Sequence, residues 1–352
     1  MSYITLCKWL GTEEETGVIT LLSAERLDSY SKIFNQLISI DSHRPFLGLE
    51  YHHDSGNELD VSLKGGYELF ELKDIVYPQW LIALARYVEN NQISSNPVEY
   101  FYVEFDQDSE GFSLAGFFKS FLTQGGDGEA LNADPVMGCL ELFDKFRGCD
   151  SKSSSCLAEF LNEIGVPSWV GFMSRGGNVV KLVAHLNEIN INRAGQLCAK
   201  YFANIFDANF ISIASTFDEI KASLTHSAIR LSLDLDLDRD IFLPRFSLEV
   251  ATRTYGKEAK EWPLSVTRLM DCLQISKSAA SDFKRIFNML PKGIKRPSNP
   301  LTADLEILYC QYNHLKISVT SNATTIKSYI SANHLLDQRS VEHQKQLNNS
   351  ID

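Results

Sequence analysis

The stretch IRLSLDLDLD, residues 229–238, holds two chemistries in one line. Ile229, Leu231, Leu233 and Leu235 alternate with Arg230, Ser232, Asp234 and Asp236. Strict alternation marks a β-strand with one buried face. The opposite face carries a guanidinium and carboxylates. Such groups either look at water or line an enclosed space, where they can hold ions and move protons.

The same arrangement recurs along the chain. In 59–64, Asp60, Ser62 and Lys64 oppose Leu59, Val61 and Leu63. In 100–106, Tyr100, Tyr102, Glu104 and Asp106 oppose Phe101, Val103 and Phe105. Lys181 and His185 stand on the polar side of 180–186, and Arg245, Ser247 and Glu249 on that of 245–250. His314, Lys316 and Ser318 do so in 314–319, and Lys327 and Tyr329 share a face of the last strand. Other chemistries find no support. G-x-S-x-G, H-E-x-x-H and G-x-G-x-x-G are absent. DLDLDRD (234–240) lacks the glycine and the final glutamate of a calcium loop and reads as a strand running into an acidic turn. His52-His53 beside Glu50 reads as a strand end at a turn, and no metal site is assigned. Trp80, Trp169 and Trp262 read as packing anchors.

These strands need elements that position them. FLGLEYHH (46–53) with ELDVSLKGG (58–66), VEYFYVEFD (98–106) with FSLAGFF (112–118), and 167–186 about Gly176-Gly177 read as hairpins. IRLSLDLDLD with RFSLEVATR, and 305–320 with 324–331, complete five pairs. Helical stripes fall between them: 24–37 capped by Ser23, 78–90, 135–147, 155–164 closed by Gly165, 193–206 capped by Asn192, 216–224, 263–273 and 277–290. The segment 291–303 reads as a Pro-rich connector and 123–133 as a flexible Gly-rich connection. Residues 1–335 form one domain and 336–352 a polar, mobile tail.

Bulk composition bounds the partners. The 352 residues carry a net charge of −12, which argues against a nucleic-acid binder, although a local cationic pocket remains compatible. No apolar run approaches a membrane span and no signal peptide is read. Seven scattered cysteines without a CxxC fit a reduced cytoplasm.

Two α+β architectures satisfy the pattern. One is an open antiparallel sheet with helices on one face and water on the other. The other closes ten strands into a barrel with helices outside and the polar faces lining a lumen too wide for side chains to fill.

The closed form, five αββα units around a polar lumen, resembles the ABBA prenyltransferases, nearest the cyanobactin-type peptide prenyltransferases, over roughly residues 20–332. The family often shows Lys-x-Tyr on a strand, and KSY, Lys327 to Tyr329, matches it. KLV (181–183), RLS (230–232) and KIS (316–318) carry no tyrosine there, and DDxxD is absent, as in that family. The resemblance implies a soluble PT-barrel enzyme moving an isoprenyl group from an allylic diphosphate to an aromatic or peptide acceptor. It implies that Lys64, Lys181, Arg230, Arg245, Lys316 and Lys327 bind the diphosphate. Tyr100, Tyr102 and Tyr329 would flank the prenyl chain and shield its cation, with Glu104 or Glu249 as base. Mg²⁺ carried with the diphosphate is compatible with this reading. The alternative is a non-catalytic scaffold binding a peptide or protein on an open sheet or a degenerate barrel.

Overall fold

Alternating segments fold as strands and helical stripes as helices, in the order the sequence predicts. The computed structural model describes residues 46–53, 59–64, 70, 75–90, 101–108, 111–119, 122–123, 130–131, 134–173, 177–208, 212–224, 227–252, 262–289, 294–299 and 302–337. The helix expected over 24–37, its Ser23 cap and the tail beyond 337 lie outside these residues. The strands are β1 Phe46–His52, β2 Leu59–Lys64, β3 Phe101–Asp108, β4 Gly111–Lys119, β5 Leu122–Thr123, β6 Ala130–Leu131 and β7 Trp169–Met173. They continue as β8 Val179–Leu186, β9 Ser227–Asp236, β10 Ile241–Thr252, β11 Ile294–Asn299, β12 Thr302–Thr320 and β13 Thr324–Asp337. The helices are α1 Gln79–Asn90, α2 Asp134–Arg147, α3 Ser155–Glu163, α4 Ile191–Ala208, α5 Ile213–Ser223, α6 Trp262–Cys272 and α7 Lys277–Met289.

One eleven-stranded sheet runs β10-β9-β8-β7-β4-β3-β2-β1-β13-β12-β11. A further antiparallel pairing joins β10 to β12, Arg245 opposite Thr320 through Val250 opposite Leu315, so the sheet curls back onto its own first strand. Three expectations are corrected. The stretch read as a Pro-rich connector contains β11, which pairs with the far end of β12. Pro297 is tolerated there because β11 ends the strand order, with no neighbour on its other side among the described residues to need the missing N–H. The Gly-rich connection holds the small β5–β6 ribbon. Asn192 lies inside α4 instead of capping it. Asn190, just before the helix, is buried and donates to the carbonyls of Ile164 and His185.

The helices cover the outer, apolar face of the sheet. Val103, Phe118, Phe172, Leu182, Leu231, Leu233, Phe246 and Ile317 join one core with Trp80, Leu84, Phe143, Phe160 and Phe202. The Trp80 and Phe143 rings meet edge to face at 5.5 Å, and Phe202 stacks on Phe246 at 5.9 Å. A Cβ at Gly116 would run into Leu81, so this glycine lets α1 lie close against β4.

Asp240 ties the β9–β10 turn to this helical layer. Its carboxylate accepts from Ser154 Oγ at 2.6 Å, Ser155 Oγ at 2.5 Å, Ser155 N at 2.9 Å and Cys156 N at 3.2 Å. It therefore caps α3 from about 85 residues away. Partial burial opposes its ionisation, but the Ser154 and Ser155 hydrogen bonds outweigh it and hold the carboxyl down to about 2. The residue accepts a φ of 50°, a left-handed conformation that aspartate tolerates better than most. Asp240→Gly should cost ~1–2 kcal/mol in urea unfolding, because glycine keeps the backbone freedom and loses the cap. A folded pKa below the ordinary carboxyl value of ~4 means the stabilisation is present above that pH and lost as pH falls toward ~2. The gap between wild type and variant should close across that range. A constant gap would show that the carboxylate is not the cause.

Candidate active site

The face of the sheet away from the helices carries the charged side chains, and the strand register arranges them in rows. His185, Arg230, Glu249, Lys316, Lys327 and His52 stand directly opposite one another, in that order, across β8, β9, β10, β12, β13 and β1. A second row runs Lys64, Tyr102, Phe117, Gly171, Lys181 and Asp234 across β2, β3, β4, β7, β8 and β9. Between them lie Trp169, Val183, Ser232, Ser247, Ser318 and Thr325, with Ser247 Oγ and Ser318 Oγ 2.8 Å apart.

The charges compensate one another. Lys327 Nζ donates to Glu50 Oε1, and His52 Nε2 lies 3.2 Å from the same oxygen. Arg230 Nη1 lies 3.3 Å from Glu249 Oε2, with His314 Nε2 at 3.9 Å. Lys316 Nζ stands 4.0 Å from Glu249 Oε1. Arg245 Nε donates to Asp234 Oδ2, and Lys181 Nζ is 4.0 Å from Asp234 Oδ1. Burial opposes ionisation of both glutamates. Lys327 and His52 nevertheless hold the Glu50 carboxyl well below the usual range, and Arg230 and Lys316 hold Glu249 down. Burial pushes the Tyr102 and Tyr329 hydroxyls well up, and the neighbouring glutamates add to it, so both rings stay neutral. His314 falls to about 3, through burial and the nearby Arg230 and Lys316 against the pull of Glu249, and is therefore neutral near pH ~7.

Aromatic rings line the same face. Tyr102 stacks on Phe117 at 4.7 Å and 5° and meets Trp169 edge to face at 5.3 Å. Lys181 Nζ lies 5.8 Å from the Phe117 centroid. A Cβ at Gly171 would come within 2.5 Å of the Phe117 ring, so the glycine makes room for it. Tyr329 stacks on His314 at 4.1 Å and 12°.

Solved structures with this architecture share little sequence with the chain. No family model and no curated protein matches it. The prenyltransferase PriB, in its ternary complex with L-tryptophan and dimethylallyl thiolodiphosphate, superposes with a TM-score of 0.55 at 10% identity, covering 94% of this chain and 95% of that one. The 5-dimethylallyltryptophan synthase of Streptomyces coelicolor gives 0.53 at 9% identity, covering 88% of this chain and 92% of that one. AnaPT of Neosartorya fischeri gives 0.51 at 10%, covering 93% of this chain and 91% of that one.

The fold is that of the ABBA prenyltransferases.

Within this prenyltransferase-type sheet, Lys181, Arg230, Lys316, Lys327, Glu249, Tyr102 and Tyr329 come together on the inner face, with Glu104 on the same side of β3. Arg245 belongs to the group but is half-exposed. Lys64 sits on β2 opposite Tyr102, with its side chain outside the described residues, as is the whole of Tyr100. The sequence analysis missed Glu50, Phe117 and Trp169. Trp169, expected as a packing anchor, faces Tyr102, because Val170 and Phe172 take the outer face of β7. That parity was available from the strand pattern.

A second arrangement lies on the outer face. His53 Nε2 is 2.5 Å from Ser328 Oγ, and His53 Nδ1 is 2.8 Å from Asp282 Oδ2. The residue types are those of a hydrolytic triad, but Ser328 has 0% exposure and no acyl group can reach it. The chain of bonds instead fastens α7 to β1 and β13, directly behind Lys327 and Tyr329. Ser328→Ala should cost ~1–3 kcal/mol in urea unfolding by breaking the bond to a buried imidazole. A change below ~0.3 kcal/mol would contradict this structural role.

Among the described residues no helix is long and apolar enough to cross a membrane, and no group of three His, Cys, Asp or Glu side chains is placed to hold a metal.

Proposed function

We propose that the chain transfers an isoprenyl group from an allylic diphosphate to an aromatic ring, borne by a small molecule or a peptide. The observation that carries this is the row of largely buried cations on the inner face of a prenyltransferase-type sheet, flanked by neutral aromatic rings. The ten-stranded barrel of five αββα units belongs to the same reading, supported by the pairing of β10 with β12.

Ionisation of the donor needs the departing diphosphate charge stabilised by fixed cations away from bulk water. Lys181, Arg230, Lys316 and Lys327 are placed for that, with the half-exposed Arg245 beside them. Tyr102 and Tyr329 would offer π faces to the allylic cation, and Phe117 and Trp169 extend that surface. Carbon–carbon bond formation places a proton to be lost on the acceptor. Glu249, held as a carboxylate, would take it, with Glu104 as the alternative base on this face. The carboxylates nearest the cations are engaged with them, so Mg²⁺ would be held mainly by donor oxygens. The free cysteines Cys139, Cys149, Cys156, Cys198 and Cys272 suit a cytoplasmic workplace.

One observation favours a second reading. Glu50, Glu249 and Asp234 already compensate Lys327, Arg230 and Arg245, as in a barrel that binds a partner without turnover. Mass spectrometry of acceptors incubated with dimethylallyl, geranyl or farnesyl diphosphate separates the two. The transferase reading expects one isoprenyl unit added to an aromatic acceptor. It also expects Lys181→Met, which keeps an apolar stem on Phe117, to lose about 100-fold in kcat. No product from any donor, or an unchanged kcat in the variant, would overturn it or the role of Lys181, respectively.

A further inference from the structure

Lys316 and Lys327 stand directly opposite each other on β12 and β13, on the same face. Like charges in that relation repel, since directly paired side chains leave their Cβ atoms only ~5 Å apart. Lys327 is bonded to Glu50. Lys316, with only 9% of its side chain exposed, has Glu249 Oε1 at 4.0 Å, beyond hydrogen-bond reach, while Arg230 lies closer to that carboxylate at 3.3 Å. The groups facing Lys316 are thus Glu249 from β10, Lys327 and Tyr329 from β13, Glu50 from β1, Lys181 from β8, Arg230 from β9 and His314 from β12. Cations outnumber carboxylates in this set, and Tyr329 and His314 are neutral.

Resting on the transferase reading, we propose that the paired lysines form a proton-coupled anion site. Without donor, Lys316 spends part of its time as a neutral amine, and capture of an ionised diphosphate between Lys316 and Lys327 draws a proton from solvent onto Lys316. Atoms balance simply: the amine gains one proton and the donor loses nothing. In support, burial and then Lys181 push the Lys316 ammonium down to about 8, against the pull of Glu249 and Glu50. Binding that requires the ammonium weakens as the competent fraction falls. Affinity should therefore decline as pH rises through that value. A diphosphate monoester is itself fully ionised above pH ~7, as phosphate esters with a second pKa of ~6 are.

The test is titration with dimethylallyl thiolodiphosphate from about pH 7 to about pH 9. Wild type should weaken by about tenfold over this range. Lys316→Arg, charged throughout, should bind with a flat profile. Calorimetry of wild type at about pH 8.5 in two buffers of different ionisation heat should show uptake of about three-quarters of a proton, and does not depend on the variant folding. A flat wild-type profile with no proton uptake, or the same slope in Lys316→Arg, would overturn the proposal and leave the donor site intact. Absence of binding at every pH would overturn the donor site itself, and the coupling with it.

Discussion

The pairing of β10 with β12 is the contact on which the rest of the molecule depends. An antiparallel sheet with one apolar and one polar face can lie open, with its polar side in water. Once Arg245–Val250 pairs with Leu315–Thr320, the polar side is turned inward instead. Charged residues that an open sheet would solvate become buried: Glu50, Asp234, Glu249 and Lys316 are all below a tenth exposed. Buried charges need partners, and the strand register supplies them as Arg230 with Glu249, Arg245 with Asp234, and Lys327 with Glu50.

That constraint shapes the chemistry. Groups held by neighbouring strands do not have to reorganise when charge develops between them, which is the condition for electrostatic catalysis. The same rigidity gives the site a cost. On the proposed reading, an incoming diphosphate would share cations already engaged by carboxylates, with Lys181 and Lys316 each 4.0 Å from theirs. The outer bonds of His53 to Ser328 and Asp282 fasten α7 to the end of β1 and to β13 from behind, so this part of the inner row rests on a fixed backbone. Asp240 does a similar service at the hairpin end, joining the β9–β10 turn to α3.

The face each residue takes was legible from alternation alone, because a strand has a period of two whatever it pairs with. Lys181, Arg230, Glu249, Lys316 and Lys327 were assigned to one side on that basis and share it. Register was not legible. Nothing local tells Glu249 that it will stand opposite both Arg230 and Lys316, since that depends on pairings between distant segments and on irregularities such as the shift between Tyr312 and His314. For the same reason the ion pairs, the tie between His53 and Asp282 across 229 positions, and the capping of α3 by Asp240 were out of reach. β11 was obscured by Pro297 within it and by Pro291 and Pro300 around it, which normally argue against a strand; Pro297 is accommodated where the strand order ends.

The proposed function requires the inner face to be a site for a prenyl donor and not only a self-compensated interior. Thermal unfolding in the presence of dimethylallyl, geranyl and farnesyl diphosphate, each with Mg²⁺ and with inorganic diphosphate as reference, tests it most directly. A ligand that binds only the native state raises Tm with its occupancy. A donor site gives a rise beyond that of inorganic diphosphate, dependent on prenyl chain length. Equal shifts with and without the prenyl chain, or no shift with any donor, would contradict it.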